Sequence, residues 1–151
     1  MVPGAACADA PVCGMAGVTG EPWLLPRLGD QFVALIFGAP AGLDAATRSA
    51  LQALQQGAVP LRLVFVTDAA IAASADPWPG ATVVRDVEGL AARRYDARAG
   101  TCYLIRPDQH VCARWRTVDA ARIGAALDRA IGQAGQGRPA VAPAPKPMAM
   151  A

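Results

Sequence analysis

Four cysteines carry the most reactive side chains of this sequence: Cys7, Cys13, Cys102 and Cys112. Five residues separate Cys7 from Cys13, whereas zinc sites favour cysteines two to four residues apart together with a second matched pair. The spacing therefore does not indicate a metal site. Because nothing in the sequence points to secretion, we expect four reduced thiols rather than two disulfides. Cys7 and Cys13 lie in a segment without periodicity, and we expect both thiols to be exposed.

Cys102 and Cys112 fall on the two strands of a predicted β-hairpin. With Asp108-Gln109 as its loop, Cys112 faces Ile105 and Cys102 faces Trp115, and this register keeps the two thiols apart. We expect both cysteines to act as small buried hydrophobic residues.

The turn of the same hairpin contains the single histidine, His110, and the tripeptide Arg106-Pro107-Asp108. The sequence places no serine or cysteine nucleophile beside His110, so a catalytic histidine is not indicated. Proline fixes φ and aspartate bonds to its own turn, which makes turn formation the first interpretation of the tripeptide. A contact with another domain is the alternative.

Hydrophobic patterning predicts the elements that position these residues. The continuous apolar run at 31–38 is typical of a strand buried on both faces. Asp86 and Thr117 are predicted to cap the second and third helices, and 23–30 is predicted to form a short hairpin. The predicted strands are 31–38, 61–66, a short edge strand at 82–84, 101–105 and 111–115, and the predicted helices are 43–56, 87–95 and 118–131.

This order predicts an α/β domain in which the first long strands are parallel and the closing hairpin makes the sheet mixed. Thioredoxin-like domains use the same order from their central strand onward. Their redox members carry Cys-x-x-Cys where the helix follows that strand, and a cis-proline before the third main strand. Here the junction is Gly38-Ala39-Pro40-Ala41-Gly42, and the approach 98–101 contains no proline. We expect a thioredoxin-like three-layer fold with a mixed central sheet that lacks the CxxC motif.

Composition and periodicity predict three parts of the chain. We expect an extended N-terminal arm at 1–20, a thioredoxin-like domain at 21–132, and a flexible Pro/Ala-rich tail at 133–151.

Two motifs resemble a known family. One comprises Asp86, Gly89-Leu90-Ala91 and Tyr95, and the other comprises Tyr103 to Asp108, Val111 and Arg114. Together they resemble the C-terminal thioredoxin-like domain of class A FAD-dependent aromatic hydroxylases, the phenol hydroxylase and hydroxyphenylpropionate hydroxylase type of monooxygenase. The hairpin residues Arg106, Pro107, Asp108 and Arg114 carry the best-matching part.

The resemblance implies an accessory domain. In that family the flavin site and the hydroxylation chemistry belong to a large N-terminal region. No Gly-x-Gly-x-x-Gly follows a strand of this chain, so we expect it to bind no cofactor itself, and FAD to belong to full-length relatives or to a partner subunit. We expect a redox-inactive module, not catalytic alone, that supports homodimerisation or association with a flavoprotein hydroxylase. The alternative is a thiol-dependent peroxiredoxin-like or reductase-like oxidoreductase that uses its own cysteines.

Composition excludes several other classes. The 14 basic and 12 acidic residues are spread along the chain and give a net charge of +2, without the basic block of a nucleic-acid-binding protein. No apolar run approaches the roughly 20 residues of a membrane span. The first 20 residues contain no Lys or Arg and are broken by Pro3 and Pro11, unlike a secretory signal. We therefore expect a cytoplasmic protein with neither nucleic acid nor membrane as a partner.

Overall fold

A computed structural model describes residues 1–14, 22–68 and 78–133 of the chain. Its strands are β1 (Cys13–Gly14), β2 (Phe32–Phe37), β3 (Leu61–Asp68), β4 (Ala81–Asp86), β5 (Cys102–Ile105) and β6 (Val111–Trp115). Its α-helices are α1 (Ala45–Gln55), α2 (Leu90–Arg94) and α3 (Ala120–Ala130), and two 3-10 helices span Leu25–Arg27 and Pro40–Gly42.

The six strands form one mixed sheet in the order β1-β4-β3-β2-β5-β6. Strands β2, β3 and β4 are parallel to one another, and the other pairings are antiparallel. Every residue from Val33 to Phe37 is buried, as its continuous apolar run predicts for a strand covered on both faces. The predicted edge strand at 82–84 is longer than expected and is covered by β1, so it does not lie at the edge of the sheet.

Two hydrophobic clusters cover the two faces of the sheet and make three layers. On one face, Leu35, Val66 and Tyr103 pack beneath α2 and the N-terminal residues. On the other face, Leu63, Phe65 and Leu104 pack beneath α1 and α3, whose inward residues include Leu51 and Ile123. Strand alternation produces this division, because successive side chains of a strand point to opposite faces.

The N-terminal arm is packed on the domain over the residues described. Gly4 N donates to Val111 O at 2.8 Å, Val111 N donates to Ala5 O at 2.9 Å, and Cys7 N donates to Gln109 O at 2.8 Å. Further along, Ala10 and Val12 are buried in the core, and β1 pairs with β4. The expected boundary between arm and domain falls within 15–21, outside the described residues, and so does the tail beyond Gln133.

Three local predictions are wrong. A 3-10 helix at Leu25–Arg27 replaces the hairpin predicted at 23–30. The second helix begins at Leu90 rather than at Val87, because Asp86 ends β4 and the chain first turns through Gly89 at a φ of 66°. The third helix is capped by Asp119, whose side chain accepts from Arg122 N, and not by Thr117.

Candidate functional site

The junction between β2 and α1 is the position where a thioredoxin-like fold would carry its reactive thiols. After Phe37 the chain passes through Gly38 and the 3-10 helix Pro40–Gly42. Helix α1 then begins after Asp44, whose carboxylate accepts from Thr47 N at 2.9 Å. No residue of this junction contains sulfur, so the helix N-terminus has no thiol whose pKa it could lower.

The hairpin cysteines have a register different from the one predicted. Cys102 pairs with Trp115 as predicted, but Ile105 pairs with Val111, and the register shift leaves Cys112 as an extra residue in a β-bulge. Cys102 is fully buried, and burial raises the pKa of its thiol to about 12. Cys112 is half-buried rather than buried, and desolvation raises its pKa as well. Both thiols are thus held in the protonated, unreactive form at neutral pH.

Cys7 and Cys13 also differ from each other. Cys13 is exposed, as predicted, on β1. Cys7 was predicted to be exposed but is half-buried against the core. Burial raises the pKa of the Cys7 thiol to about 11, although a hydrogen bond with Tyr95 lowers it in part. Tyr95 in turn donates from its hydroxyl to Ala8 O at 2.8 Å, and burial raises its pKa. All four cysteines lie within the described residues, and none forms a disulfide.

The hairpin tip holds three residues of the predicted motif. Arg106 Nη2 lies 2.5 Å from Asp108 Oδ2, and both side chains are about half exposed. The carboxylate of Asp108 also accepts from His110 N at 3.3 Å, while His110 Nδ1 lies 2.9 Å from Asp108 O. Pro107 completes the turn, which closes through a bond from Gln109 N to Arg106 O. These contacts lie within the turn itself.

Arg114, the fourth motif residue, belongs to a separate group. Its Nη2 donates to Asp96 Oδ2 at 2.6 Å, and Arg116 Nη2 donates to the same oxygen at 2.7 Å. Hydrogen bonds from these two guanidinium groups lower the pKa of Asp96 to about 2. Arg114 also lies over the Tyr103 ring, 5.5 Å from its centroid. The structure therefore does not bring the four motif residues into one site.

A cleft of about 220 Å³ that was not predicted from the sequence opens at the carboxyl ends of the parallel strands. Its lining includes Phe37 and Val66, Thr67, and the pair Asp68 and Asp86. The two aspartates are register partners at the ends of β3 and β4. The signal that could have found them is the position of one aspartate at the end of each of two neighbouring parallel strands, because ligands of open α/β sheets bind at that edge.

The size of the cleft and the grouping of possible metal ligands were compared with what cofactors and metal ions require. Nucleotide and cofactor sites usually occupy roughly 300–1,000 Å³, and the cleft is smaller than that range. Within 1–14, 22–68 and 78–133, no group of three His, Cys, Asp or Glu side chains is arranged to hold a metal ion. None of the helices in the same ranges has both the length and the apolar character to cross a membrane.

Solved structures with similar folds include flavin enzymes and thiol proteins. An aklavinone-11 hydroxylase in complex with FAD and aklavinone aligns with a TM-score of 0.57 at 22% identity, over 84% of this chain. The flavin-dependent monooxygenase PieE, in complex with FAD and substrate, aligns with a TM-score of 0.58 at 20% identity, over 88% of this chain. In both cases the match covers only 21% of the hydroxylase, so this chain corresponds to about a fifth of each enzyme.

A thiol:disulfide interchange protein, DsbE from Chlorobium tepidum, aligns with a TM-score of 0.60 at 20% identity, over 88% of this chain and 98% of its own. The expected thioredoxin-like fold without a CxxC motif is thereby confirmed. No curated protein matches the chain. A family model described as "Aromatic-ring hydroxylase, C-terminal" matches residues 36–134, which is more than half of the chain. The chain therefore belongs to the aromatic-ring hydroxylase C-terminal family.

Proposed function

We propose that this chain is a redox-inactive accessory domain of the cytoplasm that supports either its own dimerisation or association with a flavoprotein hydroxylase. One observation carries the redox part of the proposal: the junction from Gly38 to Gly42 contains no thiol. The raised pKa values of Cys7, Cys102 and Cys112 point the same way. Four unpaired thiols are also what a reducing compartment maintains.

Two observations support the association part. The hydroxylases with similar structures are about five times as long as the matched region, and FAD is present in both of their complexes. Because this chain is related to one part of such an enzyme, the remaining part of a flavoprotein hydroxylase is a candidate binding partner. On the described surface the large aromatic side chain of Trp23 is 45% exposed, and tryptophan is among the residues that most often anchor protein interfaces.

A thiol assay tests redox inactivity. The wild-type chain and a variant with all four cysteines changed to serine would be compared for peroxide consumption and for reduction of a disulfide substrate. We expect no turnover above that of the same concentration of a small-molecule thiol, and no difference between the two proteins. The second candidate function is that of a thiol-dependent oxidoreductase, and the exposure of Cys13 supports it. Turnover that disappears in the Cys13→Ser single variant would establish that second candidate instead.

Light scattering coupled to gel filtration tests association. The chain would be run alone and with a flavoprotein hydroxylase from which the matching C-terminal region has been removed. We expect a homodimer in the first run or a mixed complex in the second. A Trp23→Ser variant should weaken whichever assembly forms, and Val2→Ser provides a matched exposed apolar control on the arm. A monomer in both runs, at protein concentrations up to about 100 times a micromolar Kd, contradicts the association proposal.

A further inference from the structure

The first seven residues of the arm, here called the strap, lie beside the β5–β6 hairpin. Ala6 faces His110 in an antiparallel bridge. Three main-chain hydrogen bonds of 2.8 to 2.9 Å join the strap to the hairpin, and their hairpin atoms are Gln109 O, Val111 N and Val111 O. Residues 3 and 4 form a turn, with Gly4 at a φ of 86°, and the pairing shown by the described residues ends at Val111.

The strap buries little apolar surface. Residues 2–4 and Ala6 are exposed, and the Val2 side chain is 65% exposed. Met1 and Cys7 are only partly buried where they pack against the core. Segments with few buried apolar contacts open at a smaller free energy than core strands do. The strap is therefore held to the domain mainly by its three main-chain bonds.

The arm is anchored much more firmly from Ala8 onward. Ala8 O accepts from the Tyr95 hydroxyl at 2.8 Å. Asp9 Oδ1 accepts from Leu25 N at 2.8 Å, which ties the arm to a segment 16 residues further along the chain. Beyond this point the arm enters the core, where Val12 is only 3% exposed. The change from a loosely held segment to an anchored one therefore falls at residues 8 and 9.

We propose that the strap is a releasable cap on one edge of the sheet: it detaches from the hairpin as one unit, with Ala8 as the hinge, while residues 9–14 and the sheet stay folded. Release uncovers the main-chain groups of Val111 and the thiol of Cys7. An uncovered strand edge pairs readily with another extended chain. The docked strap therefore blocks this edge, and release makes the edge available. The device operates whether or not the chain associates with a flavoprotein.

Amide hydrogen exchange on the full chain, followed by NMR, tests whether the strap opens separately. The decisive amide is Val111, which belongs to β6 but donates to Ala5 O of the strap. Relative to their intrinsic rates, Cys7 N–H and Val111 N–H should exchange about 100-fold faster than Val12 N–H, whose bond lies in the anchored part. Their exchange should depend only weakly on urea, because release exposes little surface. Equal protection of Val111 and Val12 would overturn the proposal.

A proline variant tests whether the strap bonds control the opening. Gly4→Pro removes the N–H that donates to Val111 O, and proline cannot adopt a φ of 86°. We expect exchange at Val111 to become about tenfold faster through the loss of this bond, and exchange at Val12 to stay unchanged. Gly132→Pro is the matched control, because Gly132 also has a positive φ, of 76°, and also donates its N–H, to Arg129 O after α3. Equal acceleration at Val111 and Val12 in Gly4→Pro contradicts a separate strap.

Alkylation gives a second measurement of release. Cys7 lies in the strap, whereas Cys102 is fully buried on β5. In single-cysteine chains, Gly4→Pro should raise the rate of iodoacetamide labelling at Cys7 by up to about tenfold, because release removes the burial of this thiol. Labelling of Cys102 should not change, and Gly132→Pro should alter neither rate. Unchanged labelling of Cys7 in the Gly4→Pro chain, or equal acceleration of both thiols, would refute release of the strap as a unit.

Discussion

Alkylation of single-cysteine variants by iodoacetamide will rank the thiols by their surroundings. In each variant three cysteines are changed to serine and one is kept. At pH 8 an ordinary thiol with a pKa of 9.0 is about one-tenth ionised, whereas Cys7, with a pKa of about 11, is ionised in about one molecule in a thousand. The thiolate population of Cys7 is therefore about a hundredfold smaller.

A second effect opposes the first. A more basic thiolate is a better nucleophile, with a Brønsted slope of about 0.4–0.5, so the rise of two units in pKa restores about tenfold. We expect Cys7 to react about tenfold more slowly than a small thiol with an ordinary pKa, before any steric shielding. For Cys102, with a pKa of about 12 and no exposed surface, the same reasoning gives about a thirtyfold slowing, and burial adds to it.

Mass spectrometry of quenched time points measures these rates, and the same variants in guanidinium chloride provide the unfolded reference. The pH dependence is a separate check. Between pH 8 and 9 the rate at Cys7 should rise about tenfold because both values lie below its pKa, whereas an ordinary thiol gains only about fivefold. Native Cys7 reacting as fast as unfolded Cys7 would refute the claim that burial against the core protects it.

Three further predictions concern stability. Asp86→Ala should lower the free energy of unfolding by about 2–3 kcal/mol in urea titrations, because the backbone donors Ala91 N, which is buried, and Ala92 N, which is part-buried, lose a charged acceptor. Asp86→Asn should cost less, since it keeps one acceptor oxygen. The pKa of Asp96 is lowered to about 2, so its contribution to stability is complete above about pH 5 and is lost as the pH falls towards 2. The melting temperature of the Asp96→Asn variant should therefore change less over that pH range than the melting temperature of the wild type. Leu104→Ala should cost about 2–5 kcal/mol by the same urea titration, and a loss below about 1 kcal/mol would contradict its place in the core.

The central sheet could be predicted from sequence because its signals are local. The apolar run through β2 is long enough to indicate a strand buried on both faces, and the two layers of helices that bury it were predicted by helical spacing. The absence of thiols at the junction after Phe37 could also be predicted, because the order of strand and helix is enough to locate that junction.

Other features depend on competition between neighbouring residues. Thr117 and Asp119 are both good capping residues, and the structure uses Asp119 because its carboxylate reaches Arg122 N at 3.0 Å. A two-residue loop was assumed for the β5–β6 hairpin, but Gln109 adopts a φ of 62° and Cys112 becomes the extra residue of a bulge. Sequence patterns alone do not decide between such close alternatives.

The cleft and the arm lay beyond sequence reasoning because they arise from long-range pairing. Asp68 and Asp86 meet only because β3 and β4 lie side by side in register. Similarly, nothing in the composition of residues 1–14 shows that Ala10 and Val12 are buried or that Tyr95 bonds to Ala8. Contacts of this kind are set by topology and not by local periodicity.

The pairing of Gly4 and Cys7 with the β5–β6 hairpin has a consequence for biosynthesis. The arm leaves the ribosome before its partners, Gln109 and Val111, which are about a hundred residues further along the chain. Synthesis proceeds at about 5–20 residues per second, so roughly 5–20 s pass before the hairpin to which the arm bonds has been made. During that interval the Cys7 thiol lacks the burial that raises its pKa in the folded protein. Cys7 is therefore oxidised more readily in the nascent chain than in the folded protein.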